Sequence, residues 1–539
     1  MQTLVVLHSY RGSCPLKFKK SRMRILFTII SCVLFITNSF AQADKYVNYI
    51  NPQTARTHLE YLASDELQGR EAGEKGQKIA GAYLMQQFSG YGLPPLKGEY
   101  FQRFNLRVTN PEKIKLSVNG DTLYYFNDFI HNSDFNDVNG VNFETVFIGY
   151  GIEDEGYNDF SNIDVKGKVV LMINGEPRNK KGKYIVSNSS KHSAWSNRDK
   201  KVKHLVSKGV KAIILVNPSV EMYKSSYAHA FQSTKMKLAT DEFGVKVPLL
   251  FVSEEKADSL LKVGGLTSGL KKTVKKISKK GKSLSAVLNL KIGIHSQMIN
   301  DKVTSENVLG FVEGTDKKDE FVIVTAHYDH IGTHDDKIFN GADDDGSGTT
   351  ALLMMAEAFA KAKEDGNGPK RSILFMPVSA EEKGLLGSRY YSENPIIPLE
   401  NTVADLNIDM IGRVDEAHHD ANGDPNPNYV YIIGSNFLST ELHEINEKQN
   451  KLHTHLDLDY TFNSKNDPNH FYQRSDHYNF AKHGIPVIFY FNGTHEDYHQ
   501  HTDTVDKIDF NKLSKITKLV YYTAWDLANR EGRIIVDKK

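Results

Sequence analysis

Five apolar runs in the C-terminal half of the chain constrain its fold more than any other feature. They are FVIVTAHYD, SILFMPV, VADLNIDMIG, YVYIIG and IPVIFYF, separated by helix-like stretches such as GTTALLMMAEAFAKAKED. Short apolar runs with little polar alternation read as strands covered on both faces. Interleaved with helices, they predict a mostly parallel sheet with a helical layer on each side. The fold class expected after Ser305 is therefore α/β, a three-layer α/β/α sandwich with a mostly parallel mixed sheet. Ligands of such sheets gather outside the carboxyl ends of the strands, so functional residues belong just after the runs.

Acids and imidazoles cluster at those points. TAHYDHIG places His327, Asp329 and His330 at one strand end, and SAEE places Glu381 and Glu382 at another. GADDDGSG puts Asp343, Asp344 and Asp345 in a Gly-rich loop that opens a helix. NIDMIG carries Asp409 into an apolar run, and EDYHQHTDT packs Tyr498, His499, His501 and Asp503 into the loop after the last strand. Each cluster alone has a simpler reading: a surface pair, a solvated turn, or acids favoured at a helix N-terminus. Together they describe a metal site of oxygen and nitrogen ligands. Imidazole with carboxylate suits zinc, and five or more convergent ligands suggest two ions sharing a carboxylate.

Thiolates are excluded from that site. The chain's two cysteines, Cys14 and Cys32, lie in a leader where the basic KFKKSRMR precedes the short apolar ILFTIISCVLFI and the small-residue NSFAQA. This pattern reads as a signal peptide over residues 1–41, with export to the periplasm or outside. The alternative, an uncleaved anchor, is disfavoured because the apolar run is shorter than the ~20 residues a span needs, and no stable membrane insertion is expected. The formal net charge of +1 gives no reason to expect a nucleic-acid partner.

Upstream, residues 42–107 are helical around a Gly-rich turn, in HLEYLASDELQGREAGEKGQ and beyond. Residues 108–290 change to short β-branched runs such as KVVLMIN, KAIILVN and VPLLFVS, the texture of a β-rich module, and residues 291–539 return to the α/β rhythm. The lysine-rich LKKTVKKISKKGK keeps Leu270, Val274 and Ile277 on one face and reads as the solvated side of that module. His418 and His419 lie in a loop by composition, and His453 and His455 lack carboxylates at ligand spacing.

The order HxD, GADDDGSG, AEE, NxDMIG, SDH and DYHQHTDT resembles the di-zinc exopeptidases of clan MH. These include bacterial zinc aminopeptidases, glutamate carboxypeptidases, glutaminyl cyclases and the catalytically silent transferrin receptor ectodomain. The resemblance implies that the β-rich stretch is an inserted protease-associated domain. It also implies a secreted, zinc-dependent exopeptidase with two Zn2+ per chain, held by His327, Asp344, Glu382, Asp409 and His499. Asp344 would bridge the ions, across a cis peptide to Asp345, where the family usually has Asn. Glu381 would be the general base for a zinc-bound hydroxide, and Tyr498 would polarise the scissile carbonyl. Asp329 would accept the free N–H of His327, and Asp476 and His477 would support the site. The adjacent Glu381 and Glu382 thus take different roles. Peptides are the expected substrates, and an aminopeptidase is the leading expectation. A carboxypeptidase or dipeptidase is the alternative, favoured if basic residues line the pocket. A glutaminyl cyclase or a non-catalytic receptor-like protein ranks lower, because the ligands for two ions are all present.

Overall fold

The computed structural model describes residues 42–131, 135, 138–227, 231–242, 247–297 and 299–538. The expected signal peptide and both cysteines lie outside the described residues. The chain divides into two compact units, one formed by residues up to Phe104 together with Ser305 onward, the other by Asn105–Thr304.

The first unit is built on strands β1 (Gly310–Val312), β2 (Lys317–His327), β3 (Arg371–Val378), β4 (Thr402–Ile408), β5 (Tyr429–Ile433), β6 (Asp457–Asp459) and β7 (Val487–Phe491). They form one sheet in the order β1-β3-β2-β4-β7-β5-β6. The pairs β2–β3, β2–β4, β4–β7 and β5–β6 are parallel, whereas β1–β3 and β5–β7 are antiparallel. Alternate residues of a strand face opposite sides, and here both sides are buried. Val322, Val324, Ala326, Ile373 and Phe375 enter one core. Phe321, Ile323, Leu374, Met376 and Val378 enter another, with Tyr391 and Phe480. This is the α/β/α sandwich expected from the unbroken apolar runs.

Helices α1 (Pro52–Leu62), α2 (Lys75–Gly90), α3 (Gly348–Glu364) and α4 (Phe510–Asn529) contribute to the first of these cores. Their starts are written locally. The Asn51 side chain accepts from the N–H groups of Gln53 and Thr54, with Pro52 at the first helical position. Asp509 does the same for Asn511 and Lys512 at α4.

The second unit has its own seven-stranded mixed sheet, in the order 249–252, 212–216, 169–173, 139–147, 286–296, 114–118 and 121–123. Strand Ala286–Ser296 lies whole within it. Helices Arg198–Ser207, Glu254–Val263 and Gly269–Lys280 accompany the sheet. The last of these buries Leu270, Thr273 and Ile277 and leaves its lysines exposed.

Candidate active site

The sheet delivers its polar residues to one end. β2 stops at His327, β4 is followed at once by Asp409, and Glu381 and Glu382 come three and four residues after the end of β3. Asp344 sits in the turn before α3, and Tyr498 and His499 lie in the loop after β7. The chain turns sharply at these points: Ala380, Met410 and His499 have φ of 60°, 59° and 57°. Left-handed backbone costs a non-glycine residue roughly 1–2 kcal/mol. Such strain persists where the surroundings impose it, often at functional sites. The Asp344–Asp345 peptide is cis, as the resemblance implies.

All seven predicted site residues converge. Asp344 presents one carboxylate oxygen to each of two imidazoles: Oδ1 lies 3.2 Å from His327 Nε2 and Oδ2 lies 3.2 Å from His499 Nε2. His327 Nε2 is also 3.6 Å from Asp409 Oδ1, and His499 Nε2 is 3.1 Å from Glu382 Oε2. Zinc bonds of about 2.0–2.1 Å in a tetrahedral site put neighbouring ligand atoms roughly 3.3 Å apart, and these separations bracket that value. The donor set fits two zinc ions, with His327, Asp344 and Asp409 able to hold one.

A residue left without a role by its sequence competes for the second place. His330 is fully buried, with Nδ1 2.8 Å from Glu382 Oε1 and 3.9 Å from Asp344 Oδ2. It groups with Asp344 and Glu382 as a possible metal set. The His499 distances match the tetrahedral edge better, so His330 is the closer fit to a partner of Glu382 behind it. Neither ring nitrogen of His330 makes an aligned hydrogen bond, and Asp344 Oδ2 is equally orphaned. The HYDH spacing was the available signal.

Charge within the cluster is strongly mutual. Burial works against a charged His327, yet Glu381, Asp409 and Asp344 outweigh it and raise its pKa well above the usual imidazole value. The same contest lifts His499 to about 10, with Glu382 and Asp344 as the carboxylates. Burial and Asp344 push Glu382 up, but His499 and His330 hold it at about 2. For Asp344, burial loses to His327 and His499, and the carboxyl is held well below its normal range. Glu381 goes the other way: burial raises it well above a normal carboxyl, His327 opposing and Glu382 assisting. The two neighbouring acids are thus electrostatically distinct.

The supporting contacts differ from expectation at one point. Nδ1 of His327 lies 3.1 Å from the backbone carbonyl of Asp329 and 3.9 Å from its carboxylate. The carboxylate is turned to accept the N–H of Glu381 at 3.1 Å instead. The left-handed turn at Ala380 brings that N–H within reach. Either acceptor fixes the ring, but Asp329 also positions the Glu381 backbone.

Asp345, standing where Asn is usual, accepts from the N–H groups of His327, Gly348 and Met410, and burial raises its pKa. Ser475, the first residue of the SDH motif and given no role from the sequence, donates to Asp409 Oδ2 at 2.6 Å and accepts from Asn407 at 2.8 Å. Asp476 accepts from Ser388 at 2.5 Å, and His477 stacks on Phe489. His418 pairs with Asp415 and stacks on Tyr429, and His453 stacks on Tyr522, neither among the candidate metal groups.

His327, Asp344, Glu381, Asp409, Tyr498 and His499 line an open cleft. Met410, Phe471, Phe489 and Phe491 form its apolar wall, and Arg474 is its only lysine or arginine. The Arg474 Nη2 donates to Tyr498 Oη at 3.1 Å.

Residues 307–524 match the model of Peptidase family M28. Aminopeptidase NAALADL1 of Mus musculus is 35% identical over 130 residues, 24% of this chain and 16% of that protein. Aminopeptidase YwaD of Bacillus subtilis is 35% identical over 111 residues, 20% of this chain and 22% of that protein. The chain thus spans under a quarter of the length of either relative. The solved aminopeptidase from Aneurinibacillus sp. strain AM-1 shares the fold at a TM-score of 0.53 and 18% identity, covering 92% of this chain and 98% of that one. The match to Peptidase family M28 thus falls within the α/β unit that carries the cluster and covers under half of the chain.

Proposed function

We propose that the protein is an exported di-zinc exopeptidase, most simply an aminopeptidase, and that its Asn105–Thr304 unit is a protease-associated domain. One observation carries the two-metal reading: the two oxygens of Asp344 face different imidazoles, each 3.2 Å away. His327 and Asp409 complete one ligand set with Asp344, and Glu382 and His499 complete the other. Bound zinc would lower the pKa of a water towards ~7 and polarise the scissile carbonyl.

The chain's residues do the rest. The Glu381 carboxylate approaches His327 Nε2 only to 3.9 Å, so it stays off the metals. It takes the proton of the attacking water and passes it to the leaving amine. Tyr498 Oη already accepts from Arg474, so its own hydrogen is free for the developing oxyanion. The apolar wall receives the side chain of the residue being released. With the peptide's free amine placed among Glu381, Asp409 and Asp344, this acid-lined end suits a cationic N-terminus.

A panel of one peptide with its N-terminus free or acetylated, and its C-terminus free or amidated, tests the reading. Cleavage confined to free-amine peptides is expected, while cleavage of the acetylated peptide at its C-terminus would favour the carboxypeptidase alternative.

Ser475 gives a second handle. Removing a group that orients a metal ligand costs ~10–100-fold in affinity. Ser475→Ala should weaken zinc binding by about that factor in a chelator competition, while the fold is kept. Unchanged affinity would remove Ser475 from the site.

A further inference from the structure

We infer that Arg474 is a specificity-determining residue that binds the free C-terminal carboxylate of very short peptides, making dipeptides the preferred substrates. This rests on the exopeptidase reading above and deepens it.

The cleft is otherwise lined by acids, imidazoles, apolar side chains, Thr494 and Tyr498, with Arg474 as its one guanidinium. A guanidinium has five N–H donors in a fixed fork. One is used, towards Tyr498 Oη. No carboxylate forms an ion pair with Arg474 among the described residues, although the surrounding cleft is rich in acids. Arg474 is exposed, with its guanidinium carbon 4.8 Å from the centroid of the Phe471 ring. The donors not used on Tyr498 match a carboxylate through two parallel hydrogen bonds. Orienting a tyrosine hydroxyl needs only one neutral donor, so the remaining donors and the charge are unaccounted for by that contact.

Distance selects which carboxylate. Arg474 touches the hydroxyl proposed to meet the scissile carbonyl, so its free donors lie within about one residue, ~3.8 Å along the chain, of the bond to be cut, and on the leaving-group side when Glu381, Asp409 and Asp344 take the free amine. In a dipeptide that place is taken by the terminal carboxylate. In a longer peptide it is taken by a neutral amide.

The test compares Leu-Ala with Leu-Ala amide on wild type, Arg474→Gln and Arg474→Lys, reading the acid-to-amide ratio of kcat/KM within each protein. Wild type should favour the acid by about tenfold or more. Arg474→Gln should bring the ratio near one, and Arg474→Lys should restore part of it. A residue that only orients Tyr498 would slow both substrates alike, leaving the ratio unchanged, and that result would overturn the inference. So would a wild-type ratio near one. If wild type cleaves neither substrate, nor any other free-amine peptide, the exopeptidase reading itself fails.

Discussion

Glu381→Gln should lower kcat by ~10²–10⁴-fold, the range that a positioned general base contributes, while zinc content stays at the wild-type level. The amide keeps the shape of the side chain but accepts no proton. Glu381 is set apart from its neighbour by measurable geometry: Glu382 Oε2 lies 3.1 Å from His499, whereas Glu381 approaches His327 no closer than 3.9 Å. The complementary change, Glu382→Gln, should instead reduce zinc content. Single-turnover assays with metal analysis of the same samples distinguish the two. Loss of metal in Glu381→Gln, or full activity without its carboxylate, would contradict the separation of roles.

The second large effect is expected just behind the site, at Arg70. This side chain is buried, and its guanidinium donates to four backbone carbonyls: Tyr328 at 2.8 Å, Leu62 at 2.5 Å, Asn340 at 2.6 Å and Gly341 at 2.9 Å. It thereby ties α1 to the strand end that carries His327 and to the loop that carries Asp344. Burial works against its charge, and Asp329, Asp503, Asp344 and Asp345 act in its favour. Arg70→Met would leave the Tyr328, Leu62 and Asn340 carbonyls without a donor among the described residues, Gly341 keeping the Gly346 N–H at 3.2 Å, and the acids without an interior cation. A loss of ~3–5 kcal/mol is expected, as for breaking a buried ionic arrangement. Urea unfolding should show a lower midpoint with unchanged slope. Arg70→Lys should recover little, because one ammonium does not span the same four acceptors. A shift below about 1 kcal/mol would mean that the loops hold themselves.

Much of this was legible in the sequence for a physical reason. Strands buried on both faces must be apolar throughout, so polar residues at their ends stand out, and Asp409 was visible as an acid beside an apolar run. What stayed hidden depends on backbone contacts between distant segments. The partners of Arg70 are carbonyls, which carry no sequence signal, and one of them is 271 residues away. The Asp329 carboxylate turns from His327 to the Glu381 N–H because Ala380 adopts a left-handed turn, which the alanine itself does not announce. His330 and His499 offer the same chemistry to Glu382, and only distances order them. Arg474 stands just before the SDH motif, but that no carboxylate pairs with it among the described residues is a property of the folded cleft.

The measurement that bears most directly on the account is zinc stoichiometry in the wild type and in Asp344→Ala. Two tightly bound zinc ions per chain in the wild type, falling below one when the shared carboxylate is removed, is the predicted result. A wild type that binds a single zinc, or an Asp344→Ala protein that keeps two, would contradict a metal pair built around Asp344.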